Sequence, residues 1–182
     1  RNLARWKILE TPSRLETVRR IVAFQRKLAE SGTFTDPRSH IYYLPELYSA
    51  YFGRCHAAFA ALPASAQRAI DPEGSFAFIR ARVLAYVEDE IITHEMNAFD
   101  AALALMALAH LGADISTFAP ALHVIVASLG EGGRHGPYKA YEWNKMKTPT
   151  RILVGGPEVT SAFVLMALAS ARRAMRQAGA AA

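Results

Sequence analysis

Five residues occur twice in this chain, first as Leu105-Met106-Ala107-Leu108-Ala109 and again as Leu165-Met166-Ala167-Leu168-Ala169. Each copy lies in a run dominated by Ala and Leu and apolar around most of its girth, from Asn97 to Ala109 and from Val159 to Ala169. Ala and Leu lose little rotamer freedom in a helix, and a helix without a polar face must be covered on most sides. Small side chains let neighbouring helices approach closely while the few large ones fill the gaps. Two such helices in one chain point to a helical repeat, with both copies as inner staves of one assembly.

Composition narrows the partners. Of 182 residues, 52% are hydrophobic and 20% charged, which is globular and too apolar for disorder. The net charge of +5 permits a nucleic acid, a phosphorylated ligand or an anionic membrane surface. No block of like charge reads as a nucleic-acid arm, so nucleic acid is not expected. Cys55 is the single cysteine, which excludes an internal disulfide, fits a reducing compartment and leads to a cytoplasmic expectation, with peripheral membrane contact compatible with the basic balance. Asp100 and Arg172-Arg173 break the apolar runs short of the roughly 20 residues that a membrane span needs. No signal-peptide pattern precedes the fold, and the opening at Arg1 raises the expectation of a truncated chain.

Taken in order, the chain reads as six helices. Ser13 and Glu16 start the first, with Leu15, Val18, Ile21, Val22 and Leu28 at helical spacing up to Gly32. Pro45-Glu46 opens the second, to about Leu62. Asp71-Pro72-Glu73-Gly74 starts the third, and the fourth ends at Gly112. The fifth spans about 116–129 with Pro120 in its first turn, and Gly155-Gly156-Pro157-Glu158 opens the sixth. No segment is read as an alternating strand, so the expected class is all-α.

The chain also matches itself elsewhere. Ile21-Val22-Ala23 returns as Ile125-Val126-Ala127, and Pro45-Glu46-Leu47-Tyr48-Ser49-Ala50-Tyr51 as Pro157-Glu158-Val159-Thr160-Ser161-Ala162-Phe163. The repeating unit is an outer helix, a Gly-aromatic loop and an inner helix. Three antiparallel hairpins follow within one domain over 1–182: 13–62, 73–112 and 116–177, with 45–62, 96–112 and 156–177 inside.

Ala23-Phe24-Gln25 through Gly32-Thr33-Phe34 is similar to the Q-W motif of the α/α-toroid superfamily, which holds squalene-hopene cyclases, class II terpene cyclases and prenyltransferase β subunits. Phe34 stands for the motif's Trp; in the last hairpin Leu129 stands for Gln and Tyr138 for Trp. Gly155-Gly156-Pro157-Glu158-Val159-Thr160-Ser161-Ala162 resembles the glycine-led turn into the family's final inner helix. The resemblance implies an α/α-toroid-like barrel and a cavity for an isoprenoid or another long apolar ligand. It also places Asn97-Ala98-Phe99-Asp100-Ala101-Ala102 on the class II acid motif, where Phe99 replaces the proton donor and Asp100 alone survives. Asp100 is the one catalytic candidate, standard acid catalysis is not expected, and enzyme status is left open.

Other clusters are weaker. Glu90 and His94 are four apart, the spacing of a metal or acid-base pair, or of ordinary ion pairs on a solvated helix end. Cys55-His56 resembles the Cys-His zinc step of lanthionine cyclases, also α/α toroids, but that site needs a second cysteine. No metal is expected, and no cofactor is identified. Gly130-Glu131-Gly132-Gly133-Arg134-His135-Gly136 lacks the Lys-Ser/Thr and preceding strand of a phosphate loop and reads as a hairpin loop. Tyr48, Tyr51, Phe99, Met106, Tyr138, Trp143 and Met166 are the candidate ligand-pocket residues, with plugging of a small barrel as the alternative role. Three hairpins make half of the usual six, so the Ala- and Leu-rich flanks of the ring need cover from a second copy, another subunit or further chain. A non-catalytic interaction module or accessory subunit is the competing function, distinguished by a plugged centre and an exposed apolar edge.

Overall fold

The computed structural model describes residues 11–32, 45–91, 96–136, 139–143, 150–153 and 156–180. Among these, seven α-helices carry the body: α1 (Pro12–Ser31), α2 (Pro45–Ala60), α3 (Ala64–Ile70), α4 (Ser75–Tyr86), α5 (Ala98–Leu111), α6 (Ala119–Ala127) and α7 (Pro157–Gly179). A π turn, Val87–Ile91, extends α4, and a 3-10 turn, Ile115–Phe118, leads into α6.

The helix ends follow from local chemistry. Gly32 and Gly112 close α1 and α5 in left-handed conformations, with φ of 74° and 66°, that a Cβ would strain. Asn97 caps α5 by accepting from the Phe99 and Asp100 amides. Both oxygens of Asp71 accept from the first amides of α4, at 2.8 Å from Ser75 and 2.7 Å from Phe76. Two arginines of α4 close the other helices' C-termini: Arg80 donates to the Leu111 and Gly112 carbonyls, and Arg82 to the Ala29 carbonyl.

Helix α5 is the centre of the core. From Ala101 to Leu108 every residue is buried, and α2, α4, α6 and α7 all pack against it. Residue numbers rise together across its flanks: Phe99 meets Phe163 and His110 meets Ser170 on α7, while on α2 Leu47 and Ala50 line a cleft with Leu103 and Gly53 lies against Ala107 and His110. Helices α2, α5 and α7 therefore run parallel. Gly53 marks the closest approach, where a Cβ would lie 3.2 Å from the His110 Cβ and 3.3 Å from the Ala107 carbonyl. Helix α4 runs back along α5, since Arg80 reaches its C-terminal end, and α1 lies along α4. A second cluster under α1 joins Val22, Phe59 and Ile70, with Phe59 stacked on Phe76 at 4.0 Å.

The predominantly helical character is as expected, with three corrections. An antiparallel pair of strands, Lys139–Trp143 and Thr150–Leu153, is present where no strand was expected. The pairing sets Trp143 opposite Thr150 and Tyr141 opposite Ile152, aromatic and β-branched types that favour a pleated ladder. The segment after Pro63 is also not a plain link, because seven residues form α3 before Asp71. Finally, α7 is not enclosed. Leu165 is 68% exposed and Leu168 38%, whereas Leu105 and Leu108 are fully buried.

Candidate functional site

The edge of the α2, α5 and α7 layer holds two joined clefts. The first is narrow, about 30 Å3, lined by Leu47, Tyr51, Leu103, Met106, Phe163 and Met166 among others. The second, about 190 Å3, shares Arg54, Met106 and Met166 with it and adds His110, Ala169, Ser170 and Arg173. An apolar slot thus opens into a basic mouth.

The polar groups of the mouth are fixed by one serine. Ser170 Oγ donates to the Met166 carbonyl at 2.9 Å and accepts from Arg173 Nη2 at 3.1 Å. His110 Nε2 lies 3.3 Å from the same oxygen. With its proton on a helix carbonyl, the hydroxyl is an acceptor for the imidazole N–H, so the pair is not arranged as nucleophile and base. Burial, then Arg173 and Arg54, push the His110 pKa below the ordinary imidazole value. At neutral pH the charge of the mouth is therefore that of the two arginines. No ion pair to either is found among the described residues.

Of the predicted pocket residues, Tyr51, Met106 and Met166 come together in the slot. Phe99 and Tyr48 lie deeper in the packing: Phe99 is buried edge-on to Phe163 at 5.0 Å, and Tyr48 stacks on Phe52 at 6.1 Å. Trp143 lies in the first strand, and Tyr138 falls outside the described residues. Asp100 is half-buried in the first turn of α5, where Asn97 Nδ2 donates to it at 2.6 Å. This is a capping arrangement. His94 also falls outside the described residues, and among those described no three His, Cys, Asp or Glu side chains are grouped to hold a metal. Cys55 is exposed.

Arg54, His110, Ser170 and Arg173 were missed by sequence reasoning. In the sequence Arg173 only ends an apolar run, and Arg54 lies one helical turn beyond Tyr51, a spacing that places both on one face of α2. No helix among the described residues is long and apolar enough to cross a membrane. No protein-family model, curated protein or solved structure matches the chain.

Proposed function

We propose that this domain is a helical interaction module, an arc of α/α-toroid-type packing that works against a second copy of itself through the open face of α7. The observation that carries this reading is the exposure of Val159, Leu165, Met166 and Leu168 on the apolar half of that helix. Apolar surface left open along a helix marks an interface, and each Å2 covered contributes about 25 cal/mol. The face carries no charge between Val159 and Ala169, so it is compatible with itself across a two-fold axis. In this reading Asp100, which accepts from Asn97 Nδ2 in the first turn of α5, serves the helix cap rather than a reaction. Light scattering at micromolar concentration tests the proposal. A dimer that Leu165→Glu with Leu168→Glu converts to a monomer of unchanged helicity supports it; a wild-type monomer overturns it.

A second reading, binding of an isoprenoid or other long apolar ligand, is favoured by the parallel run of α2, α5 and α7 and by the meeting of Tyr51, Met106 and Met166. The slot is small beside the roughly 300–1,000 Å3 of most ligand pockets, so most of such a chain would lie along the surface. Native mass spectrometry with lipid extraction tests it, and recovery of no apolar compound counts against it.

A further inference from the structure

We infer that the basic mouth between α2, α5 and α7 binds the single anionic head, phosphate or carboxylate, of an amphiphile whose chain lies over Met106 and Met166. The inference extends the apolar-ligand reading by naming the chemistry of the ligand's head. Three observations meet at one place. Arg54 from α2 and Arg173 from α7 flank one cleft of about 190 Å3, large enough to admit a solvated anion. The polar groups beside them are tied to one another: Ser170 Oγ donates to the Met166 carbonyl and accepts from Arg173 Nη2, with His110 Nε2 3.3 Å from the same oxygen, which holds the Arg173 guanidinium at the cleft wall. Among the described residues the lining holds no carboxylate, and the acids of these three helices, Glu46, Asp100 and Glu158, stand in their first turns, away from Arg54, His110 and Arg173.

Two guanidinium groups side by side repel, and an anion between them relieves that repulsion while accepting charge-assisted hydrogen bonds. Arg173 is already anchored through Ser170, which reduces the side-chain freedom lost on binding. The floor then sets the chain's direction. Met106 and Met166 are common to both clefts, so a chain leaving the head passes over two adaptable thioethers toward Leu103 and Phe163. An inorganic anion would use the mouth alone and forgo that contact.

Calorimetric titration of the whole chain below the micelle concentration tests this with dodecyl phosphate, dodecanoate, dodecanol and inorganic phosphate. Both charged amphiphiles are expected to bind, and both neutral dodecanol and inorganic phosphate more weakly by about tenfold or more. Arg54→Gln and Arg173→Gln should each weaken dodecyl phosphate about tenfold, with the imidazole resonances of His110 shifting on binding to the wild type and not to the double variant. Equal binding of dodecanol would overturn the anionic head and leave the apolar-ligand reading standing. Inorganic phosphate binding as tightly as dodecyl phosphate would overturn the amphiphile. Binding by neither dodecanol nor dodecyl phosphate would overturn both.

Discussion

Leu105 and Leu165 head the same five letters, yet the first is sealed between helices and the second has two thirds of its side chain in water. The third letter behaves differently, since Ala107 and Ala167 are both fully buried. The difference lies in position rather than in propensity. Helix α5 is in the middle of the parallel layer with α2 and α7 on its sides and α4 and α6 behind, whereas α7 is at the layer's edge. At the edge one seam, Thr160, Val164, Ala167 and Ala171, meets the core, and the remaining apolar residues are left over. An apolar helix therefore reports a need for cover, while its place in the layer decides whether the same chain supplies it.

Substitutions that treat the two copies alike or unalike probe this account. The largest effect is expected from Ala107→Arg and Ala167→Arg. Both insert an unpaired charge into a packed seam and should cost more than about 4 kcal/mol, seen as loss of cooperative thermal unfolding by circular dichroism. A stable Ala167→Arg protein would show that the α7 seam is loose. Next in size is the leucine pair. Leu105→Ala should cost about 3 kcal/mol in urea unfolding, and Leu165→Ala within about 0.5 kcal/mol in the monomer. Similar losses in both would erase the contrast.

Smaller effects are expected at the helix caps and the histidines. Asn97→Ala should cost about 1 kcal/mol by removing the acceptor for two α5 amides. Asp100→Asn should cost no more than about 0.5–2 kcal/mol and leave the fold intact, and any turnover lost with it would restore Asp100 as a catalytic group. His110 and His56 are both held below the ordinary imidazole value of 6.5, chiefly by burial. The folded state therefore binds their protons later than the unfolded chain does. Their contribution is complete above that value and is lost as the pH falls through it toward the lower folded-state values. His110→Gln should flatten part of this acid decline in the melting temperature, and an unchanged pH profile would contradict the assignment.

Much of the helix pattern was legible because its punctuation is chemical. Gly32, Gly112, Pro45 and Pro157 stand at helix boundaries, and Asp71 binds the start of α4. Helix α3 was not, since seven Ala-rich residues are too few for a 3.6-residue period to show. The strands were hidden among glycines and aromatics that read as loop, because a two-stranded ladder takes its stability from cross-strand pairs that a single segment does not display. For the candidate site, Tyr51, Met106 and Met166 were legible as apolar residues of inner helices. Arg54 and Arg173 were not, because only the parallel packing of α2 and α7 around α5 brings residues so far apart in sequence to one mouth.

The contrast between the two copies is tested most directly by methionine oxidation. Met106 is 3% exposed and Met166 40%, and they occupy the same letter of the repeated phrase. Treated with dilute hydrogen peroxide at nanomolar chain concentration and read by peptide mass spectrometry, Met166 should oxidise readily while Met106 reacts only as fast as the domain unfolds. Equal rates for the two, or protection of Met166 beyond that of Met106, would contradict the account.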